Sequence, residues 1–547
     1  MDAGPPAGPE ELISELRSPF RVSGVDAKSP RRVHVERALL SVDDKSGLVD
    51  LARGLSALSV ELWATQGTRK AIEAAGLAAR PAEDLTGIGS WFGGRVKTLH
   101  PALLAGILAP RTPEGLRELA ERKFLAFDLV VVQLYPFERH LAEHPTSDDR
   151  EEYIDIGGVT LARAAAKNHG SVAVVLDPRQ YPPILEELRA HEATLSDPTR
   201  LDLAVAAFRR CSAYDAAIAS GLVGPGAPTA DPFPVEVVFR RDPVRLRYGE
   251  NPHQKAAVYV SAGPTGSDLA GSPFSLVKGD ALSFTNLLDL DTALATVAEF
   301  PTPTAAVVKH ATPCGVASGA TIREAIERAI ATDPVARYGC AIAVNRPIGP
   351  GDPEAMRGVF VDLLAAPAFD PGARVPLDRR PKIKLVETTP PPLGAARWEA
   401  HSALGRLLLQ EVDQRELLPT EFRLVRGGAV SGEEACSLDF AWRVVRHAKS
   451  NAIVLARGST TVGIGGGQPT RSKSVQLACE IAGERARGAV LASDAFFPFA
   501  DGVEIAGKAG VRAIIQPGGS VRDPEVLAMA ERYGISMYFT GWRIFRH

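Results

Sequence analysis

The stretch Ala306–Gly315, AVVKHATPCG, decides how the second half of the chain is read. Ala306–Val308 is apolar and partly β-branched, which marks the end of a buried strand. Lys309 and His310 follow directly, and Thr312, Pro313 and Gly315 then force a turn. A cation and an imidazole are thereby delivered to a strand end, where α/β proteins place their ligands. An imidazole moves protons near neutral pH. An ammonium beside it binds an anion or steadies a developing oxyanion. On spacing alone, a surface lysine and a structural histidine at an ordinary strand end are the commoner outcome.

Outward from this turn the pattern is α/β. Ser283–Val297 reads as a helix with Asn286 near its start, and Thr321–Ala331 as another. Residues 341–345 and 359–366 are apolar and suit strands, whereas the Pro-rich 371–395 reads as a surface connection. Asn451–Gly458 and Thr460–Gln468 read as two strands across a turn, followed by a helix at Arg471–Ala486. The glycines at 463, 465, 466 and 467 do not make a dinucleotide fingerprint, because Gln468 or Thr470 stands where its last glycine belongs. LRYGENPHQ (Leu246–Gln254) crowds Arg247, Tyr248, Asn251, His253 and Gln254 around one glycine and one proline. SDAFFPFADG (Ser493–Gly502) and IIQPGGSVRD (Ile514–Asp523) read as strand-end loops. The aromatic and basic end GWRIFRH reads as packed, which makes Arg543 and His547 site candidates.

The first half alternates strand and helix. ALLSV (Ala38–Val42), VELWAT (Val60–Thr65) and FDLVVVQLYPF (Phe127–Phe137) are strands, with an amphipathic helix at Gly47–Leu58 and a turn at Gln66-Gly67-Thr68. Such alternation implies a parallel sheet covered by helices. Its site would form at the strands' C-terminal ends, at Asp43–Gly47, Thr65–Thr68 and Gln133–Tyr135. GGRVKTLHP places Arg95, Lys97 and Thr98 beside paired glycines, which suits a phosphate or an ordinary solvated loop equally. IDIGGVTLARAAAKNH sets Asp155, Gly157 and Gly158 before a helix at Thr160–Lys167, and a helix N-terminus attracts anions. Arg163 and Lys167 on that helix are otherwise a solvated face.

Length and composition bound the rest. A chain of 547 residues exceeds one hydrophobic core and points to two or three domains. With 45% hydrophobic and 23% charged residues it has the profile of a soluble globular protein. A net charge of −3 without a basic block gives no reason to expect nucleic acid as a partner. No apolar run is long enough to span a membrane, and MDAGPPAGPEELISEL lacks the basic start and apolar core of a secretory signal, so a cytoplasmic setting is expected. Cys211, Cys314, Cys340, Cys436 and Cys479 are scattered, without CxxC or HExxH, so each is expected to be a small buried apolar residue. Residues 1–32 read as a loosely held extension with a short helix at Glu10–Leu16, and the Pro/Gly cluster at 222–238 as the domain boundary, giving domains 33–238 and 239–547.

These motifs together resemble one family: GRVKTLHP, LYPF, IDIGG with RAAAKNH, LRYGENPHQ, VKH with PCG, SNAIVLA, SDAFFPF, QPGGSVRD and the FRH end. The chain resembles, over about residues 34–547, the bifunctional purine-biosynthesis enzymes. These join phosphoribosylaminoimidazolecarboxamide (AICAR) formyltransferase to inosine monophosphate (IMP) cyclohydrolase. The resemblance implies an α/β protein with an N-terminal methylglyoxal-synthase-like parallel sheet and a C-terminal transformylase of two cytidine-deaminase-like αβ units. It implies 10-formyltetrahydrofolate as co-substrate, AICAR and its formylated product FAICAR as substrates, no metal, and a homodimer with shared transformylase sites.

The resemblance also implies roles. Lys309 and His310 are the catalytic pair of formyl transfer, and Asn451 contacts the formyl oxygen. Arg247, Tyr248 and Arg543 bind the nucleotide, with Asn286, Asp362 and Gln468 in the same site. Asp494, Phe496 and Phe497 form a folate-contacting loop. In the cyclohydrolase, Lys97, Tyr135, Asp155 and Lys167 are catalytic. Lys45, Thr65, Gly67, Thr68, Arg95 and Thr98, with Gly157 and Gly158, bind substrate on the phosphate side.

The chain departs from the family at SVDDK, ATQGT and QLYPF, where SVSDK, STGGT or ASGGT, and NLYPF are usual. Asp43 brings a carboxylate to a phosphate-facing loop, to be neutralised by Lys45 or Arg95, and Gln66 replaces a glycine at a close backbone approach. Thr312 stands where Asn or Ser is usual and Cys340 where Gly is common. Two readings stand beside the bifunctional one: a transformylase with an impaired cyclohydrolase, and a non-catalytic nucleotide-binding regulator.

Overall fold

The computed structural model describes residues 31–87, 91, 95–96, 98–144, 149–223, 233, 237–261, 274–390, 398–413, 415 and 418–547. Residues 1–30 with the expected Glu10–Leu16 helix, Lys97, and most of 222–238 lie outside the described residues. The chain divides into two compact units that part at Phe239.

The first unit is built on five parallel strands. They are β1 (Arg37–Ser41), β2 (Glu61–Ala64), β3 (Arg80–Pro81), β4 (Leu129–Val132) and β5 (Ala173–Val175), in the order β3-β2-β1-β4-β5. The run LVVV in β4 is buried throughout, as a strand covered on both faces requires. Helix α1 (Leu48–Ala57) buries Leu48, Leu51 and Leu55, and α2 (Gln66–Ala74) buries Ile72. Helix α3 (Gly157–Lys167) packs a face of Leu161, Ala162, Ala165 and Ala166 into the same core.

Three sequence expectations change here. The strand expected to reach Phe137 stops at Val132, because Pro136 has no N–H for a ladder and a helix begins at Phe137. Gln66-Gly67-Thr68 is the first turn of α2 rather than a separate turn. Arg32, placed in the loose extension, opens a short strand (Arg32–His34) that pairs antiparallel with Thr194–Ser196, and its guanidinium reaches Glu187 at 3.1 Å.

The second unit carries a twelve-stranded sheet among its described residues. Its first six strands are β6 (Phe274–Lys278), β7 (Thr304–Val308), β8 (Pro313–Ser318), β9 (Cys340–Val344), β10 (Val361–Ala366) and β11 (Lys384–Thr388). The next six are β12 (Arg423–Arg426), β13 (Ile453–Arg457), β14 (Thr460–Gly465), β15 (Val490–Ser493), β16 (Ala513–Gln516) and β17 (Ser536–Phe539). The order β6-β11-β10-β9-β7-β8-β14-β13-β15-β16-β17-β12 reads the same from either edge once each strand is matched to its counterpart six places later. In each half an antiparallel hairpin (β7–β8, β13–β14) adjoins three parallel strands. The halves meet at β8 and β14, where Thr461 Oγ1 accepts Val316 N–H at 2.9 Å and Ser318 N–H reaches Ser459 O at 2.8 Å.

Helices α4 (Phe284–Ala298) and α6 (Gly432–Val445) begin with matching capping boxes, Ser283 with Asn286 and Ser431 with Glu434. They share one core that spans both halves. On the other face, α5 (Ile322–Thr332) and α7 (Arg471–Ala482) each cover a core of their own. The glycines in β8 and β14 belong to this packing: a Cβ on Gly315, Gly463 or Gly465 would lie 2.1 Å from a carbonyl oxygen of the helix above. Residues 371–395 are not merely a surface connection, since they contain a helix (Pro371–Asp378) and the buried strand β11. Cys436 is exposed, while Cys211 and Cys340 are buried as expected. No helix of the described residues is long and apolar enough to cross a membrane.

Candidate active sites

In the first unit the strand order reverses between β1 and β4, and the loops beyond their C-terminal ends define one site. Thr68 Oγ1 accepts Val42 N–H at 3.0 Å, and Thr65 Oγ1 reaches Ser41 Oγ at 3.2 Å. Lys45 Nζ donates to the carbonyls of Val42 at 2.6 Å and Asp43 at 3.0 Å, so its ammonium sits over the Asp43 loop. Gln133 Oε1 accepts Asp44 N–H at 2.7 Å, so the glutamine of QLYPF ties this loop to β4. Gln66 is exposed and helical, and no left-handed backbone is demanded of it, so replacing the family's glycine strains nothing. Gly67 beside it is open on its Cβ side.

Asp155 is buried behind the next loop. Its Oδ2 accepts Tyr135 N–H at 3.2 Å and its Oδ1 accepts Gly158 N–H at 2.6 Å, at the start of α3. Tyr214 Oη accepts Asp155 N–H at 2.9 Å and donates to Tyr153 O, and burial raises this phenol's pKa. A Cβ on Gly157 would fall 2.2 Å from Thr98 Oγ1, and one on Gly158 2.3 Å from Asp155 Oδ2. Both glycines are therefore fixed by close approach. The structure thus brings Thr98, Tyr135, Asp155, Gly157 and Gly158 together, with Tyr135 partly exposed. It does not bring Lys167 to them. Lys167 is exposed at the far end of α3, ten residues and about 15 Å along the helix from Gly157. Arg95, expected near the phosphate side, pairs with Glu152.

In the second unit the strand directions gather the site at one end of the sheet. That end holds the end of β7, the starts of β9, β10 and β11, the start of β13 and the ends of β14 and β15. The Lys309–Thr312 turn lies there, closed by Lys309 N–H on Thr312 O at 3.0 Å. His310 and Ala311 both take left-handed backbone, at φ 57° and 54°. The His310 side chain is exposed, and Lys309 Nζ donates to Tyr338 O at 2.9 Å. Asn286, at the start of α4, donates to Asp362 at 2.8 Å, and Lys384 Nζ donates to the other oxygen of Asp362 at 2.7 Å.

The second half supplies the facing set. Asn451 Nδ2 donates to Gln468 O at 2.9 Å, while Arg471 Nη2 donates to Asn451 Oδ1 at 2.7 Å. Arg471 also pairs with Asp494 and donates to Ser493 Oγ at 2.8 Å. Thr312 and Gly466 bring the two sets side by side: a Cβ on Gly466 would lie 3.3 Å from Thr312 Cγ2. The C-terminal tail is packed at this end, with Ile544 N–H on Asp494 O at 2.9 Å and Arg546 O on Ser450 N–H at 2.8 Å. Arg543 remains exposed there, over the Phe545 ring. Arg247 and Tyr248 are joined to the start of α4 by Arg247 N–H on Leu282 O and Phe284 N–H on Tyr248 O.

Two expectations need correction. Phe497 is not presented for contact; it lies in the core under α7, its N–H on Gln516 Oε1 at 2.9 Å. Asp494 is fully buried and spent on Arg471 and Ser450, so it holds the loop, while Phe496 is exposed. Asp289, Lys384 and Arg471 stand among these residues although no motif in the sequence marks them. The available signal for Asp289 was its place three residues after Asn286, on one helix face.

Comparison with known proteins bears on the family of the chain. Residues 165–481 match the AICARFT/IMPCHase bienzyme family, and residues 47–160 match the MGS-like domain. The bifunctional purine biosynthesis protein PurH of Chloroflexus aurantiacus is 46% identical over 94% of this chain and 99% of its own length. PurH of Desulfitobacterium hafniense is 43% identical over 93% and 99%, and that of Rhodopirellula baltica 41% over 94% and 99%. A solved structure titled "Crystal structure of ForH" is 36% identical and covers 35% of this chain and 99% of that one, with a TM-score of 0.30. With the similarity running through both units and nearly the full length, the chain belongs to the AICARFT/IMPCHase bienzyme family, an enzyme of purine biosynthesis that joins AICAR formyl transfer to IMP ring closure.

Proposed function

We propose that the second unit transfers a formyl group from 10-formyltetrahydrofolate to AICAR and that the first unit closes FAICAR to IMP. The observation that carries this reading is the meeting of the Lys309–His310 turn and Asn451 at one end of a duplicated sheet. The acceptor amine is conjugated to the imidazole carboxamide and is a poor nucleophile. His310 takes its proton as the nitrogen attacks the formyl carbon. The oxygen that gains charge is met by the amide Nδ2 of Asn451 and by the Lys309 ammonium, once substrate draws that ammonium from Tyr338 O. Collapse of the tetrahedral centre breaks the bond to the folate nitrogen, which leaves with a proton. Arg247 and Arg543 hold the substrate phosphate. Asn286 and Asp362 orient the nucleotide.

In the first unit, the loops at Lys45, Thr65–Thr68 and Thr98 receive the substrate's phosphate side. The carboxamide nitrogen attacks the formyl carbon, and water leaves. Asp155, fixed between Tyr135 N–H and Gly158 N–H, orients the carboxamide, and Tyr135 and Lys97 move protons on the formyl oxygen. The enzyme acts as a cytoplasmic homodimer. Leu404, Leu407 and Leu408, exposed on the hairpin Trp398–Ala403/Arg406–Glu411, supply apolar surface for a second copy to cover. The test supplies the purified chain with AICAR and 10-formyltetrahydrofolate and, separately, with FAICAR. IMP in both is expected. FAICAR accumulating without ring closure above the spontaneous rate would remove the cyclohydrolase, and nucleotide binding without transfer would leave only a regulator.

A further inference from the structure

The His310 turn has the wrong residues for its shape. A two-residue hairpin turn with both central residues left-handed is ordinarily Asn-Gly, Asp-Gly or Gly-Gly, because a Cβ disfavours that backbone. Here His310 and Ala311 occupy it, and the Ala311 side chain has no polar atom to stabilise it. Something outside the hairpin must hold the turn, since strained backbone persists only where its surroundings over-determine it.

Asp289 on α4 stands where that hold is needed. Its Oδ1 accepts, at 2.6 Å, the N–H of Ala311, the second left-handed residue of the turn. The same helix face presents Asn286 to Asp362, so one rigid element sets both the nucleotide-side amide and the turn. Burial holds the Asp289 carboxyl above its ordinary value, against the opposing pull of the Ala311 N–H and His310. We infer that Asp289 is a positioning residue for formyl transfer, which clamps the backbone of the His310–Ala311 turn and so aims the imidazole. This rests on the formyl-transfer reading of the second unit.

The role is separable from a purely electrostatic one. If Asp289 acts through the backbone, a glycine at 311 relaxes the turn and reduces the need for the clamp. If it acts through its charge on the imidazole, the glycine changes nothing. The full-length chain is assayed for formyl transfer as parent, Asp289→Ala, Asp289→Asn, Ala311→Gly and the Asp289→Ala/Ala311→Gly pair. Ring closure of FAICAR and a thermal melt on each preparation report folding. Asp289→Ala is expected to lower kcat by about a hundredfold, with KM for AICAR within about threefold. Asp289→Asn keeps an acceptor for Ala311 N–H and is expected to keep at least about a third of kcat. The loss caused by Asp289→Ala is expected to be at least about fivefold smaller in the Ala311→Gly background. Parental kcat in Asp289→Ala overturns the inference. So does a loss unchanged by Ala311→Gly. A parent chain that transfers no formyl group overturns instead the reading on which the inference rests.

Discussion

Arg471 Nη2 donates to Asn451 Oδ1 at 2.7 Å, and that single bond decides which way the Asn451 amide faces. A guanidinium has donors only, so the amide oxygen must lie toward it. Nδ2 is then turned to Gln468 O with one N–H, and its second N–H has no protein partner among the described residues. Asn451 is thereby set as a donor. Asn451→Asp, which replaces that donor by an acceptor, is expected to cut kcat for formyl transfer by about a hundredfold or more. Steady-state kinetics with AICAR and 10-formyltetrahydrofolate check this. A loss confined to KM would mean that the amide binds substrate without meeting the transition state.

Gly158 cannot carry a side chain without moving the Asp155 carboxylate, because a Cβ there falls 2.3 Å from Oδ2. Gly158→Ala is expected to slow ring closure of FAICAR by at least about tenfold. Formyl transfer should stay within about twofold, since the two units have separate cores. Measuring both steps on one preparation gives the answer, and equal losses in both would contradict it.

Asp43 is exposed on the loop that Lys45 bridges. A carboxylate there opposes a phosphate only through solvent. Asp43→Ser is expected to lower KM for FAICAR by about two- to fivefold at low salt, with the gain fading toward 1 M salt as screening shortens its reach. Gln66→Gly is expected to change KM by less than about twofold, because the Gln66 side chain points outward from the first turn of α2.

Buried charge makes the second unit sensitive to acid. His447 Nε2 lies 3.0 Å from Glu299 Oε1 and its Nδ1 lies 3.4 Å from Arg546 Nη1, while Arg446 also reaches Glu299 at 3.1 Å. A neutral imidazole protonated on Nε2 satisfies both contacts. Burial lowers the His447 pKa below its ordinary 6.5, and the partnered Glu299 lies below its ordinary 4.5 as His447 and Arg446 outweigh its desolvation. Below pH 6.5 the unfolded chain binds a proton at His447 that the folded chain refuses, so stability falls as pH falls through that window. The Glu299 contribution is lost further down, as pH falls through and below 4.5. His447→Gln is expected to flatten the stability–pH slope just below pH 6.5 by up to about 1.4 kcal/mol per pH unit. Denaturant melts across that range check it, and an unchanged slope would contradict it.

The parallel sheet of the first unit was legible because β1, β2 and β4 are short apolar runs between amphipathic helices. The glycines at 463 and 465 were legible only as failing a nucleotide motif. Their real demand, that any Cβ there would fall 2.1 Å from an α7 carbonyl, is a tertiary fact with no local signature. The turn at Lys309-His310 was recognisable as a turn. That Asp289, twenty-two residues earlier, holds Ala311 could not be read, because spacing within a helix does not say which strand end the helix will meet. The burial of Phe497 is hidden for the same reason: SDAFFPF does not reveal that its second phenylalanine turns into the core.

The central claim is that His310 performs formyl transfer in the second unit while ring closure belongs to the first. It is tested most directly by measuring both steps on purified His310→Ala. The account predicts no detectable FAICAR from AICAR and 10-formyltetrahydrofolate, AICAR affinity within about threefold of the parent, and undiminished conversion of supplied FAICAR to IMP. Parental formyl transfer by His310→Ala, or loss of ring closure in a folded preparation, would contradict it.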